Sequence, residues 1–595
     1  MMAEQPRPRP HPKPPFEGEH AAAAAQPSAA SPTPPPPRRT SSTPIHDIHL
    51  ITGMRTAPWL AQLHLAPSFA ERCPVTTAHI LQGIERGVDI HYTGDRKINR
   101  RARNSLSATK DERTRRLVGE QIQKDVAAGK KAGPYLYPPF PFFSVSPLGT
   151  VPKGDGVRVI HNLSHPWGGN SVNNHILHEK LRLCRFDEAC THIRNVGRGC
   201  FLVKFDVEAA FKQVPVRMED RPLLGLKWDG KYYYELTLPF GLRSSGNRWE
   251  MYASALEWFF RHHLGIKLVI HYVDDFLFVV ADYELAVQQR DAVIALCLYL
   301  KIPMAGHKTV GPVTCCGFLG IELDTVALTA RLPAKRLADL QQLLSTWDHT
   351  RRVVSVPELQ SLIGKLHFAC KVVRPGRTYL RRLIDMQTDM ERAQKRGVWG
   401  PRRLSKEALA DIQWWRHFIA RWNGHSLIYE NEWTRWDDPS LLLYTDACLI
   451  GYGARHGNRW FKGRWTQQQL DSARRKQKFS MPFLELHALV HAATVWGHLW
   501  AGKKITFMCD CQPAYYAILR MSSKDSSMAA LLRLLSTTAA THGFDFRCVH
   551  LPGLTNIVAD PLSRDCDMQT LLAVLPTANA TAEEVQQLPP VHLLQ

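Results

Sequence analysis

Short apolar runs that end in an acidic residue recur along the chain. Leu268 to Ile270 and Phe276 to Val280 flank Tyr272-Val273-Asp274-Asp275, which predicts two strands closing back on each other with an aspartate pair at their tight connection. Phe201 to Asp206 is a further run of this kind, leading into a helical turn at Val207 to Phe211. Leu441 to Asp446 repeats the arrangement ahead of a short strand from Gly451 to Ala454, and Ile505 to Cys509 ends at Asp510. Leu486, Leu489, Val490 and Ala493 recur at helical spacing and leave Glu485 near one edge of a buried face. Asp560 falls on a last helix, within Leu551 to Arg564. Upstream, Ser146 to Ser164 reads as two strands joined by Gly154-Asp155-Gly156. Leu238 to Trp249 is a turn opening a helix, and Gly317-Phe318-Leu319-Gly320 follows the aspartate pair. Other periodic stretches predict helices from Thr109 to Lys131, ended by Gly133-Pro134, and from Pro333 to Leu344 and Pro357 to Cys370.

Adjacent carboxylates at the mouth of a buried sheet repel, so keeping both ionised requires a cation. Asp206 supplies a carboxylate from a separate strand. Such a set can hold two metal ions about 3.5 to 4 Å apart, where attacking and leaving oxygens of a phosphoryl transfer are stabilised together. Taken singly, Asp446 and Asp560 read equally as helix caps and Glu485 as a surface residue. As an ordered set of Asp446, Glu485, Asp510 and Asp560 on strand, helix, strand and helix, they make a second candidate metal site.

Together the motifs resemble two families. Asp206, Leu238 to Trp249, Tyr272 to Asp275 and Gly317 to Gly320, in this order, resemble the palm of reverse transcriptases. The resemblance implies that Asp206 and Asp274 bind two Mg²⁺ directly, with Mn²⁺ able to substitute, that Asp275 supports them, and that the Val207 carbonyl is a further ligand. It implies that Lys153 and Arg158 lie over the triphosphate, that Phe211 is the ring facing the sugar 2′ position, and that Lys308 lies near the leaving pyrophosphate. One departure is Ser245-Gly246, where the family commonly has proline second. The four later acids resemble ribonuclease H, with two Mg²⁺ in the same roles and His550 the candidate for that fold's catalytic histidine, although it precedes the loop where the family's residue lies. Ser146-Pro147-Leu148-Gly149, Leu163-Ser164-His165-Pro166, Trp414-Trp415 and Ala559 to Arg564 look most like the polymerases of DIRS-like, tyrosine-recombinase retrotransposons.

The implied fold class is multidomain α/β: a right-hand polymerase with fingers, palm, thumb and helical connection, followed by a ribonuclease H-like α/β domain. The expected division is a disordered Pro/Ala-rich tail at 1–45, a mostly helical region at 46–134, fingers and palm at 135–325, thumb and connection at 326–439, the ribonuclease H-like domain at 440–566 and a tail at 567–595. Within the first segment, Ala21 to Ala25 is too short a helix to persist alone.

The formal net charge of +21 over 595 residues fits a polyanionic partner. Basic groups recur at Arg96 to Arg116, Arg374 to Arg382, Arg392 to Lys406 and Arg474 to Lys478, the last expected to flank a hybrid near Glu485. RNA template, DNA primer, RNA-DNA hybrid and dNTPs are the implied partners, with any recombinase supplied by another chain. None of the 13 cysteines has zinc-site spacing, and Cys315, Cys316, Cys509 and Cys511 read as small buried residues of a reducing compartment. With no secretory leader and no membrane-spanning run, an intracellular protein is expected, cytoplasmic or nuclear. The competing readings are a domesticated, catalytically inactive nucleic-acid-binding derivative and the polymerase of a long-terminal-repeat element or pararetrovirus.

Overall fold

The computed structural model describes Met54 and residues 56–65, 74–347, 353–422 and 438–566, apart from 155, 476–477, 558 and 565, together with 425–427, 569 and 581–582. The expectations for 1–45 and for most of 567–595 lie outside those residues.

Helices Thr56–Leu65 and Pro74–Arg86 pack toward helix Ser245–His262, where Trp59 meets Tyr252 edge-on at 5.8 Å. Helix Glu112–Ala127 begins where the Asp111 carboxylate accepts the Thr114 N–H at 2.7 Å, satisfying a donor the first turn leaves over. That cap divides the single helix expected from Thr109 to Lys131. Leu106–Thr109 is a separate turn, and the main helix stops at Ala127. Gly133-Pro134 does not end it. Both lie inside strand β1 (Lys131–Tyr135), at a register shift where a residue without an N–H is tolerated. The strand spans the boundary expected between 134 and 135.

β2 (Leu148–Lys153) and β3 (Gly156–His161) form the expected antiparallel hairpin. After β4 (Phe201–Asp206), β5 (Gly225–Trp228) and β6 (Lys231–Glu235) join β1 in the order β1-β6-β5. β7 (Val269–Tyr272), β8 (Asp275–Val280) and β9 (Val310–Val313) join β4 in an antiparallel sheet ordered β7-β8-β4-β9. This sheet is covered on both faces. Val203, Phe205, Phe276 and Phe278 enter the core beneath helices Ser245–His262 and Tyr283–Tyr299, while their neighbours Leu202, Leu277 and Val279 enter the core that includes helix Phe186–Val196. Alternate side chains point to opposite faces, so a sheet buried on both sides needs continuous apolar runs.

β10 (Cys315–Phe318), β11 (Ile321–Asp324) and β12 (Thr329–Arg331) form a meander. Cys315 is exposed and Cys316 buried, which corrects the expectation of two buried thiols: strand neighbours face opposite ways. β13 (Val353–Val354) pairs with β14 (Arg402–Arg403), and β15 (His425–Leu427) adds to β12. Between them run helices Ala334–Ser345, Val356–Ala369, Arg381–Lys395 and Lys406–Arg421, the first two within a residue or so of their predicted limits.

β16 (Leu442–Ala447), β17 (Gly451–His456) and β18 (Arg459–Arg464) are antiparallel neighbours. The two-residue strands β19 (Arg474–Arg475) and β20 (Lys478–Phe479) form a small hairpin. β21 (Lys504–Cys509) pairs parallel with β16, β22 (Asp545–His550) parallel with β21, and β23 (Thr581–Ala582) parallel with β18. The sheet order is β22-β21-β16-β17-β18-β23. Helices Met481–Trp496 and Ser526–His542 share its core. The architecture is mixed α/β, and among the described residues no helix is long and apolar enough to cross a membrane.

Candidate active site

Strand register brings the first three acids together. Tyr272 pairs with Asp275 across β7 and β8, which leaves Val273-Asp274 as a two-residue turn. Asp206, at the end of β4, pairs with Asp275. Val273 takes a positive φ of 59°, strained for a β-branched residue, and is held there by its neighbours. The Trp249 indole N–H donates to its carbonyl at 2.7 Å, and the Val207 N–H donates to the Asp274 carbonyl at 3.0 Å. Burial, then the nearby Asp206, pushes the Asp274 carboxyl above its ordinary value. Burial also raises Asp275, with Lys204, 3.7 Å away, working against it. Lys308 donates to both Asp206 oxygens, at 2.8 and 2.9 Å, a direct partnership with an acid that the sequence had not indicated.

Asp274 and Asp275 border a cavity of about 600 Å³ that is also lined by Arg158, Phe211, Phe240 and Lys371. Phe211 lies 5.5 Å from Phe240, and the Arg158 guanidinium lies 5.2 Å from the same ring. Phe240 and Lys371 were missed as site residues. Phe240 stands in the Leu238-Pro239-Phe240-Gly241 turn, which carried a signal, whereas Lys371 follows a helix with no motif of its own. Lys153 ends β2 at the hairpin tip, and its side chain lies outside the description. The Ser245-Gly246 departure is accommodated: Ser245 Oγ donates to the Pro239 carbonyl at 2.9 Å, and a Cβ on Gly246 would come 3.2 Å from Leu181.

A second group of acids forms at the C-terminal ends of the interior strands β16 and β21. Asp446 near the end of β16, Glu485 in helix Met481–Trp496 and Asp510 just after β21 have ligand atoms within 4.8 Å of one another. Burial first, opposed by Ser563 and reinforced by Asp510, pushes Asp446 up to about 6. Burial and the neighbouring Asp446 push Glu485 well above its usual value, and its Oε2 is buried without a hydrogen-bond partner. A buried acceptor and clustered like charges are what a bound cation would relieve.

Asp560 is not drawn into this cluster. Its carboxylate takes the Arg564 guanidinium, four residues on, at 2.7 to 3.0 Å, so a local ion pair satisfies it instead. Asn556, missed in the sequence, reaches the cluster: its amide donates to the Thr445 carbonyl at 3.2 Å and lies 3.4 Å from both Asp446 and Asp510. His550 ends β22 and donates through Nε2 to the Asp510 carbonyl at 3.1 Å. Of the basic run Arg474 to Lys478, the backbone hairpin is described, while residues 476–477 and the side chains of Arg475 and Lys478 lie outside the description.

Residues 162–323 match the family model described as Reverse transcriptase (RNA-dependent DNA polymerase). The chain carries a reverse transcriptase domain. Asp206, Phe211, Asp274, Asp275 and Lys308 lie inside the matched segment, Arg158 lies just before it, and the second acid cluster lies beyond it. Among solved structures, the foamy viral protease-reverse transcriptase in complex with dsDNA is 14% identical over 86% of this chain and 99% of its own, with a TM-score of 0.44. The same protein with an RNA/DNA hybrid is 15% identical over 90% of this chain and 67% of its own, also at 0.44. At these values the likeness bears on neither activity nor partners. No curated protein matches the chain. The reverse transcriptase domain therefore rests on the family match and on the geometry of its acids.

Proposed function

We propose that the protein is an RNA-directed DNA polymerase of a retrotransposon that also degrades the RNA strand of RNA-DNA hybrids. The observation that carries the reading is the strand register that sets Asp206 beside Asp275 and the Asp274 turn, with Asp274 and Asp275 lining a cavity within the reverse transcriptase domain. Raised carboxyls and a lysine drawn onto Asp206 fit a site built for divalent cations. When bound there, two Mg²⁺ would supply charge neutralisation for attack of a primer 3′-hydroxyl on a dNTP α-phosphate. Asp206 and Asp274 would hold them, with Asp275 and the Val207 carbonyl in support. Arg158 and Lys153 would orient the triphosphate, and Lys308 would turn from Asp206 toward the departing pyrophosphate. Phe211 would exclude a 2′-hydroxyl by its bulk.

The hybrid-cleaving half of the proposal is supported by the cluster of Asp446, Glu485 and Asp510 and by the orphaned Glu485 oxygen. Asp560 would have to release Arg564 to join it, and His550 is the candidate proton carrier. The ribonuclease H-like assignment of residues 440–566, the thumb and connection at 326–439 and the DIRS-like origin, with its recombinase on another chain, belong to the same reading.

Purified protein given an RNA template, a DNA primer and dNTPs with Mg²⁺ should extend the primer and cut a labelled hybrid. Asp274→Asn should abolish extension and spare cleavage, while Asp510→Asn should do the reverse. Loss of both activities in each variant would rule out two independent sites, and a parent inert in both assays would favour the non-catalytic reading.

A further inference from the structure

A buried charge cluster lies behind the cavity wall, outside both groups of metal-site acids. Glu235, at the end of β6, is 1% exposed and bonds two lysines: Lys131 of β1 at 2.5 Å and Lys212 at 2.6 Å. Asp125 closes the group, 3.1 Å from Lys131 and 3.8 Å from Lys212. His161 of β3 lies 3.6 Å from Glu235 and donates through Nε2 to the Gly225 carbonyl at 3.1 Å. Burial works to raise the Glu235 carboxyl, but the two lysines outweigh it and hold it well below its usual value.

Two members of this cluster, Lys212 and His161, connect directly to residues that line the cavity. Lys212 directly follows Phe211 in the short 3₁₀ turn Ala210–Gln213, a turn entered through Ala209 at a positive φ of 48°. The His161 N–H donates to the Phe240 carbonyl at 2.9 Å, and Phe240 is the ring against which both Phe211 and Arg158 rest. Arg158 and His161 share one strand. A turn of four residues has little rigidity of its own, so the position of the Phe211 ring depends on what anchors its neighbour.

We infer that Glu235 and Lys212 form a positioning pair for sugar selection: their buried bond fixes the turn that carries Phe211 and thereby sets how much room the nucleotide 2′ position has. The inference rests on the reading of Phe211 given under Proposed function. It adds that discrimination is set from behind the pocket, by charges that no nucleotide touches. Removing one partner of a buried ion pair leaves the other uncompensated, and the segment moves to resolve it.

The test is primer extension with dNTP and with rNTP as competing substrates, for the parent and for Phe211→Val, Lys212→Met, Lys212→Arg and Glu235→Gln, each checked for folding by its thermal midpoint. Lys212→Met and Glu235→Gln should raise the rNTP-to-dNTP ratio of kcat/KM by roughly tenfold, less than the about hundredfold that a full ångström of misplacement can exact. The change should appear mainly in KM, and Lys212→Arg, which keeps the charge, should restore most of the parent's selectivity. A lowered midpoint with unchanged selectivity in both Lys212→Met and Glu235→Gln overturns the inference and leaves the cluster a packing element. An unchanged ratio in Phe211→Val overturns the reading of Phe211 and the inference with it. A raised ratio in Phe211→Val alone overturns only the inference. If Lys212→Met does not fold, Glu235→Gln, close to isosteric with the parent, decides the question.

Discussion

Asn556 reaches both aspartates of the second cluster through its side-chain amide, and it does so while anchored on the Thr445 carbonyl. Hydrogen bonds to charged groups contribute about 1.5 to 3 kcal/mol, and at 3.4 Å the lower end applies. Asn556→Ala should therefore reduce hybrid cleavage about tenfold and leave primer extension unchanged; equal loss of both activities would mean that the residue only supports folding. At this scale the sequence revealed the acids that end apolar runs, because a carboxylate at the mouth of a buried strand needs a partner. It did not reveal Asn556, a polar residue with no periodic pattern around it. Nor could it decide between Arg564 and the cluster for Asp560, since that depends on the turn of a four-residue helix.

Helix Ser245–His262 does more than cover the β7-β8-β4-β9 sheet. Its Glu250 and Glu257 grip His271 of β7 from both ring nitrogens, at 3.0 and 2.5 Å, three residues before Asp274. Burial alone would lower this imidazole, but the two carboxylates raise it to about 9. A folded value above the unfolded one near 6.5 gives stability fully present below that value and lost as pH rises through about 9, each unit being about 1.4 kcal/mol. The thermal midpoint of the parent should fall between pH 6.5 and 9.5 by more than that of His271→Gln. Parallel pH profiles would exclude a clamp of helix on hairpin. Elements of this kind were largely legible. Continuous apolar runs such as Phe276 to Val280 follow from burial on both faces of a sheet, and helix Val356–Ala369 begins at a capping box on Ser355 and Glu358. The stretch from Thr109 to Lys131 was not, because its helical periodicity continues past Asp111, while a side chain competing for one N–H starts a new helix there.

For the molecule as a whole, a net charge of +21 would set the terms on which the proposed polymerase meets nucleic acid. Binding to phosphate releases counterions, so affinity for an RNA-DNA hybrid should fall steeply with salt and vary little with sequence. Replacing Arg474, Arg475, Lys476 and Lys478 together by glutamine should lower the slope of log K against log salt by roughly 0.7 to 0.9 for each phosphate that is no longer neutralised. Cleavage should suffer more than extension, since the run precedes Glu485 in the chain. An unaltered slope would make the run a solvated hairpin. Composition alone pointed to a polyanionic partner. How the second half folds back on the first was not written there, because hydrogen bonds such as those of Thr378 with Ser536 and Tyr379 with Thr537 join residues 158 apart through hydroxyls that carry no pattern.

The ammonium of Lys308 rests on Asp206, one of the acids proposed to hold a cation. In the proposed polymerase this ammonium would compete with a cation for the same carboxylate. Lys308→Met should therefore lower the half-saturating Mg²⁺ concentration for primer extension even as it slows turnover, and an Mg²⁺ requirement that rises would show the lysine to be an aid to metal entry. In the proposed polymerase the magnesium requirement would then be set by a residue that competes with the ion.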